Sequence, residues 1–127
     1  MYQKVIIAGN LGGEVDLRYT PQGTPVCNFS VATNESWTSD GEQQERTTWF
    51  RVTCWRRLAE ICGQYLSKGR QVLVEGRMNP DPDTGGPRIW TGNDGEPRAS
   101  YEVTAMTVKF LGGRDSAQEA DESEIPF

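Results

Sequence analysis

The segment from Thr47 to Trp55 constrains the fold more than any other part of the sequence, because its residues alternate between two kinds of side chain. Successive side chains of a β-strand point to opposite faces. One face of such a strand carries an apolar set typical of packing on a core: Thr48, Phe50, Val52 and Cys54. The other face carries a different set: Trp49, Arg51, Thr53 and Trp55. The sequence therefore predicts a half-buried strand whose outer face is aromatic and basic.

Two indoles beside a guanidinium make a flat, positively charged surface, and unpaired nucleic-acid bases are the planar ligands that match it. Tryptophan is also more often buried than displayed, so Trp49 and Trp55 equally fit a second layer or a subunit interface. Both interpretations stay open from this strand alone.

Charge is distributed unevenly along the 127-residue chain, whose length suits one compact domain followed by a tail. The formal net charge of −5 argues against a nucleic-acid binder only as a whole-molecule average. Residues 1–111 hold 12 basic and 13 acidic side chains, whereas residues 112–127 hold one basic and five acidic side chains. We therefore predict a near-neutral binding domain over residues 1–111 and a disordered acidic tail over residues 112–127.

The amino terminus and the cysteines indicate the compartment. The apolar run before Gly9 is too short for a signal peptide or a membrane span, so we expect a cytoplasmic protein with no membrane partner. Cys27, Cys54 and Cys62 are odd in number, lack metal-binding spacing and fall on apolar faces of the predicted elements. We expect them to be reduced core residues.

Catalytic chemistry is poorly supported. The chain has no histidine, which removes the commonest general base and metal ligand. Asp81 and Asp83 resemble the start of a calcium loop, but the prolines at 80 and 82 stiffen it. We therefore predict no enzymatic activity, no cofactor and no metal. One alternative is a nuclease that uses Asp81, Asp83 and Asp94 with a divalent metal. Another is an interaction adaptor whose tryptophans form a subunit interface.

The order of elements predicts an all-β fold. Two strands, Gln3 to Asn10 and Val26 to Trp37, precede the Trp49 strand. Helical spacing then follows: Leu58, Ile61, Cys62, Tyr65 and Leu66. Two more strands follow, Gln71 to Arg77 and Ser100 to Leu111. Three strands, a helix and two strands is the order of the five-stranded OB barrel, which has its helix between strands three and four and binds oligonucleotides on strands two and three.

Two long hairpin arms are predicted to leave this barrel. The polar stretch from Thr38 to Arg46 is expected to be a hairpin loop around Asp40-Gly41. Residues 79–97, rich in proline and glycine, are expected to form a solvated hairpin that contains Trp90. Strict alternation places Trp37 on the inward side of its strand, so its exposure requires a bulge or a strand end near residues 34–36.

The end of the chain is the second candidate site. Its acids are followed by Ile125-Pro126-Phe127, an apolar tripeptide that a solubilising tail does not need. A partner with an apolar pocket and basic residues would bind such an end. The predicted partner-binding residues are Asp121, Glu122, Glu124, Ile125, Pro126 and Phe127.

Taken together, the motifs resemble those of the bacterial-type single-stranded DNA-binding proteins (SSB). The resemblance runs over nearly the whole chain and is carried mainly by Lys4-Val-Ile-Ile-Ala-Gly-Asn-Leu-Gly12, Ala32-Thr-Asn-Glu-Ser-Trp37, Thr48-Trp-Phe-Arg-Val52, Tyr65-Leu-Ser-Lys-Gly69 and Glu124-Ile-Pro-Phe127. It implies an OB-fold homotetramer that binds single-stranded DNA without sequence preference and protects it in replication, recombination and repair. It also implies a nucleoid location and an acidic tip that recruits replication and repair proteins.

The resemblance also implies roles for individual residues. The base-stacking candidates are Trp37, Trp49, Trp55 and Trp90, although phenylalanine is the usual family residue at Trp55. The phosphate-binding candidates are Lys4, Arg51, Arg56, Arg57, Lys68, Arg70, Arg77 and Arg88. The arm over residues 79–97 is longer and richer in proline than the family's usual arm.

Overall fold

The computed structural model of the chain describes residues 1–112. Over these residues it contains seven strands and one helix. The elements are β1 (Val5–Leu11), β2 (Asp16–Tyr19), β3 (Pro25–Ser39), β4 (Glu42–Trp55), α1 (Arg56–Tyr65), β5 (Gln71–Met78), β6 (Arg88–Thr91) and β7 (Pro97–Leu111).

Five of these strands close into a barrel. Their order is β1-β5-β7-β4-β3, and pairing of Asn10 with Ala32 and of Leu11 with Val31 joins β3 back to β1. β2 adds to the edge of β3, and β6 pairs with β7 outside the ring. Along the chain, α1 lies between the third and fourth strands of the barrel. The predicted five-stranded OB architecture is confirmed.

The barrel interior is filled by the inward residues of the strands, chiefly valines. Val31, Val52, Val72 and Val103 are fully buried, and α1 contributes further buried residues: Ala59, Ile61 and Cys62. Burial of one such aliphatic side chain contributes about 1.5–3 kcal/mol to folding. The core therefore fixes which residues of β4 point inward, and with them which residues point out.

The cysteines are part of this core, as predicted. All three are free and fully buried, and the Cys54 and Cys62 sulfur atoms lie 3.9 Å apart. Burial raises the pKa of Cys27 to about 12. The hydrogen bond to Cys54, together with burial, raises the pKa of Cys62. The Cys27 and Cys62 thiols therefore stay protonated at neutral pH and are not poised as nucleophiles.

The first arm is a long extension of β3 and β4. Pairing runs without a register shift from Val26 opposite Trp55 to Ser39 opposite Glu42. The predicted hairpin around Asp40-Gly41 is therefore confirmed, but the expected loop over residues 38–46 is too long. A two-residue turn replaces it, in which Asp40 (φ 54°) and Gly41 (φ 79°) both adopt the left-handed conformation.

The bulge expected near residues 34–36 is also wrong. Trp37 is 42% exposed although alternation is unbroken, because the hairpin has left the barrel there and neither of its faces is covered.

The second arm contains β6. β6 pairs with the start of β7 through a turn in which Gly92 donates to the Glu96 carbonyl and Gly95 donates to the Gly92 carbonyl. The preceding loop is ordered by Asp81, whose Oδ1 accepts the backbone N–H groups of Asp83 and Thr84. The predicted hairpin over residues 79–97 is confirmed, and its pairing with β7 fixes the register of Trp90 opposite Arg98.

Candidate functional site

The outer face of β4, made by Trp49, Arg51, Thr53 and Trp55, is open. Trp49 is 51% exposed and Trp55 is 45% exposed. Their register partners on β3 are Ala32 and Val26, and the partner of Arg51 is Ser30. Because these β3 neighbours are small or short, they leave about half of each indole accessible. The interpretation of Trp49 and Trp55 as residues buried against a second layer of the same chain is therefore wrong.

Gly12 packs against one face of the Trp49 indole. A Cβ placed on Gly12 would lie 2.3 Å from Trp49 Cζ3 and 2.5 Å from Cη2, so the ring rests directly on the Gly12 backbone. Gly12 is itself fixed, because its N–H donates to the Ser30 carbonyl at 3.1 Å. One side of the indole is thus covered by protein, and the exposed remainder faces solvent. Sequence reasoning missed this role, because Gly12 and Trp49 are far apart along the chain.

A groove beside Trp49, here called the Gly12 groove, has a volume of about 420 Å³. It runs between the loop after β1 and the outer face of β4. Its lining residues are Gly12, Gly13, Glu14, Asp16, Asn28, Phe29, Ser30, Trp49, Arg51 and Val52. Lys68 lies at its edge, where the Lys68 N–H donates to Glu14 Oε1 at 3.4 Å.

A second groove, here called the Trp90 groove, has a volume of about 290 Å³ and is lined by Arg51, Arg88, Trp90 and Glu102. The pairing of β6 with β7 and of β7 with β4 brings the second arm to the outer face. Trp90 is 40% exposed. Arg51 lines both grooves, so this residue is shared by the groove that contains Trp49 and the groove that contains Trp90.

Basic side chains extend this surface in two directions. Cross-strand pairing places Thr53 beside Thr104, and Thr104 beside Arg77, so Arg77 lies two strands away from the outer face of β4. Two strand spacings amount to about 10 Å. At the other end, Arg56 and Arg57 directly follow Trp55 and line a depression of about 340 Å³ with Glu60. Arg56 adopts a left-handed backbone (φ 61°) at this junction of β4 and α1.

Ion pairing divides the basic residues into two groups. Within residues 1–112, Arg51, Arg56, Arg77 and Arg88 form no ion pair, and neither does Lys68. Other cations near the barrel surface are already matched to carboxylates: Lys4 to Glu75, Arg18 to Asp16, Arg46 to Glu35 and Arg98 to Asp94. The five residues of the first group lie around the outer face of β4 or at its edges.

Three predicted site residues lie elsewhere. Trp37 stands on the face of the β3–β4 hairpin opposite to Trp49, and Arg46 lies over its ring at 5.1 Å. Lys4 precedes β1, and its Nζ is 3.6 Å from Glu75 of β5. Arg70 is half-buried, with its guanidinium over the Phe110 ring at 5.3 Å. The structure thus brings together three of the four tryptophans and leaves Lys4 and Arg70 outside that group.

The carboxylates of the nuclease hypothesis serve other roles in the structure. Asp81 caps its own loop, and Asp94 forms an ion pair with Arg98 at 2.7 Å. Over residues 1–112 no three His, Cys, Asp or Glu side chains are grouped so that they could hold a metal ion. Over the same residues no helix is long and apolar enough to cross a membrane. The predicted partner-binding residues, 121–127, lie outside the described part of the chain.

Comparison with known proteins gives a consistent result. The model of the single-strand binding protein family matches residues 2–111. Two curated relatives, each named single-stranded DNA-binding protein, come from Neisseria meningitidis strains of serogroups A and B. Each is 47% identical over 113 residues, which cover 88% of this chain and 61% of the relative. The match therefore spans less than two thirds of the length of these relatives.

Solved structures agree with the barrel. The chain superposes on a structure described as Plasmodium falciparum SSB in complex with ssDNA, with a TM-score of 0.72 and 29% identity over 88% of this chain and 96% of that one. A small single-stranded DNA-binding protein from Streptomyces coelicolor gives a TM-score of 0.68 at 23% identity, over 91% of this chain and 96% of that one. The second likeness supports the fold alone.

Proposed function

Because this chain belongs to the single-strand binding protein family, we propose that it binds single-stranded DNA without general sequence preference and without catalysis. The observation that carries the proposal is the outer face of β4, where exposed Trp49 and Trp55 flank Arg51 and where the second arm adds Trp90. A double helix hides the flat faces of its bases, whereas a single strand offers them to such indoles.

Stacking supplies the sequence-tolerant part of the affinity. Each base stacked on an aromatic side chain contributes about 1–3 kcal/mol, and every base has a flat π-face. Trp49 is suited to this role because the Gly12 backbone already holds its ring, so little side-chain freedom remains to be lost on binding. Trp37 belongs to the same proposal, but a strand that reaches it must pass around the edge of the β3–β4 hairpin.

Phosphate binding falls to the cations that lack a carboxylate partner. Arg51, Arg77 and Arg88 surround the stacking surface, and Lys68 and Arg56 lie at its edges. Each phosphate neutralised on a single strand releases counterions, which gives a log–log salt slope of about −0.7. Affinity should therefore fall steeply as salt rises.

Tryptophan fluorescence tests the proposal directly. Stacking of bases on the exposed indoles should quench their emission when oligo(dT) is added at low salt, and the quench should reverse as salt is raised. The strand recovered after incubation with Mg²⁺ should be intact, since we propose no nuclease activity. Absence of quenching at low salt contradicts the proposal, and cleavage of the strand contradicts its non-catalytic part.

The cellular role follows from the same binding activity. We place it in the protection of single-stranded DNA during replication, recombination and repair, at the nucleoid in the cytoplasm. The acidic tip is proposed to recruit replication and repair proteins through Asp121, Glu122, Glu124, Ile125, Pro126 and Phe127. A chain truncated after residue 120 should keep its affinity for DNA and lose those proteins from DNA-bound complexes. Equal recruitment by both chains contradicts the role of the tip.

A homotetramer is proposed as the working assembly. The single-chain barrel leaves apolar side chains exposed on the strands away from the outer face of β4, including Ile6 (61%) and Met106 (68%). Burial between subunits would remove such side chains from water. Sedimentation equilibrium should report four times the 14.2 kDa chain mass. A monomeric mass at micromolar concentration contradicts the tetramer but does not bear on the DNA-binding proposal.

A further inference from the structure

The Trp90 groove collects charged groups that do not neutralise one another. Arg51, Arg88 and Glu102 line it together with Trp90. Within residues 1–112 none of these three charged side chains forms an ion pair, although four other arginine or lysine residues are paired with carboxylates. The groove therefore presents two cationic donors and one anionic acceptor around an open space, beside an exposed indole.

Glu102 is held in place by its own strand. It lies opposite Arg51 in the parallel pairing of β7 with β4. Its Oε2 accepts the Ser100 hydroxyl at 3.0 Å, and its backbone carbonyl accepts the Asn79 N–H at 2.7 Å. The residue is half-buried. Its carboxylate is thus oriented by a neutral hydroxyl instead of a cation, and its hydrogen-bonding capacity is not exhausted.

The Glu102 carboxylate should weaken the binding of DNA phosphates. Like charges repel, and this one stands beside two arginines whose proposed role is to attract phosphate. The same carboxylate favours a ligand that brings hydrogen-bond donors. Nucleobases differ in this respect, because cytosine has an amino donor at the position where thymine and uracil have a carbonyl acceptor.

We propose, on the basis of the proposed function, that the Trp90 groove is a base subsite that favours amino-bearing bases. The base stacks on Trp90, its exocyclic amine donates to Glu102, and Arg51 or Arg88 donates to its ring or carbonyl acceptors. The volume of about 290 Å³ is at the lower end of the range for small-molecule pockets. The remaining stacking surface stays indifferent to base type, so the preference is a modest addition to general binding.

The test compares oligo(dC) with oligo(dU) of equal length, because cytosine and uracil differ only at the amino or carbonyl position and the adjacent ring nitrogen. Wild-type protein should bind oligo(dC) more tightly by about three- to tenfold, the range expected for the gain of one net hydrogen bond. In Glu102→Gln the ratio should approach one, because the new amide can donate to the uracil carbonyl as readily as it accepts from the cytosine amine.

Glu60→Gln is the matched control, because it removes the same charge near Arg56 and Arg57 on α1, away from the Trp90 groove. It should raise affinity for both strands by a similar factor and leave their ratio unchanged. If Glu102→Gln, like the control, changes the affinities for both strands by the same factor, the subsite is overturned and Glu102 acts only by repelling phosphate. Equal wild-type affinity for the two strands overturns it as well. Wild-type protein that binds neither strand contradicts the proposed function instead.

Discussion

The two faces of β4 are built from alternating residues of one strand, yet they meet opposite requirements. Inward-facing Val52 and Cys54 are fully buried, whereas Trp49 and Trp55 on the outer face are about half exposed. The largest side chains of the strand are thus displayed, and smaller ones fill the barrel. A fold selected for core stability alone would place the indoles inside, since they remove the most apolar area from water.

The comparison separates two kinds of free energy on a single strand. Inward residues contribute to the free energy of unfolding, and outward residues are proposed to contribute to the free energy of DNA binding. Substitutions on the two faces should therefore affect different measurements.

The largest effect is expected from the outer face. Trp49→Ala combined with Trp55→Ala should weaken oligo(dT) binding by roughly 2–6 kcal/mol, because two stacked bases are lost. Thermal unfolding should change little, since both indoles are largely outside the core. Fluorescence or filter titration at fixed salt measures the first quantity and calorimetry the second. A fall in unfolding temperature with undiminished binding per folded molecule would reverse the assignment of this face.

The converse is expected on the inner face. Val52→Ala should lower the free energy of unfolding by about 2 kcal/mol, because it leaves a cavity in a fully packed interior. Denaturant titration measures this loss. DNA affinity at a temperature where the variant is folded should equal that of the wild type. A measurable loss of affinity in the folded variant would show that the two faces are coupled.

Gly12 sharpens the comparison, because it contacts the outer face of β4 from the loop after β1. Gly12→Ala should weaken binding by about 1 kcal/mol, a part of the stacking contribution, since the added methyl group displaces the Trp49 ring. Gly13→Ala is the control, because its Cβ would meet nothing within 4 Å and its backbone is not left-handed. In a Trp49→Ala background the Gly12 substitution should have no further effect on binding. An equal loss with Trp49 absent would mean that Gly12 acts by another route.

Paired and unpaired cations should differ in salt dependence. Arg77→Gln should reduce the magnitude of the log–log salt slope by about 0.7, the value for one phosphate on a single strand. Lys4→Gln should leave the slope unchanged, because Lys4 already faces Glu75. Titrations at four or more salt concentrations measure both slopes. A reduced slope for Lys4→Gln would place the DNA path across β1 and β5 as well.

The smallest effect is expected at Trp37. Its face of the hairpin is opposite to that of Trp49, and Arg46 already covers part of its ring. Trp37→Ala should therefore weaken binding by less than about 1 kcal/mol, below the lower value for a stacked base. The same titration measures it. A loss as large as that of Trp49→Ala would show that DNA engages both faces of the hairpin equally.

Much of the fold could be predicted from local patterns. The period-two alternation of residues 47–55 and the helical spacing from Leu58 to Leu66 both predicted elements that the structure contains. Their order along the chain then restricted the architecture to a barrel. The errors in the predicted fold were confined to the first arm. A bulge and a long loop were expected there, whereas the structure has an unbroken hairpin with a two-residue turn. How far β3 and β4 extend beyond the barrel has no signature in side-chain periodicity.

The candidate site was predictable in composition but not in arrangement. Trp49, Arg51 and Trp55 share a strand face by periodicity alone. Trp90 reaches them only through the pairing of β6 with β7 and of β7 with β4. Gly12 and Glu102 have no sequence signal for their roles, because each acts on a residue that is distant along the chain.

Sequence by itself determined which side chains of β4 point together, since a strand's alternation is a property of the backbone and is independent of its neighbours. It also determined the balance of charge between residues 1–111 and the acidic end. Only the tertiary structure decided which basic residues keep no carboxylate partner and which grooves adjoin Arg51. These depend on barrel closure, which brings distant strands into register through long-range packing that no local pattern encodes.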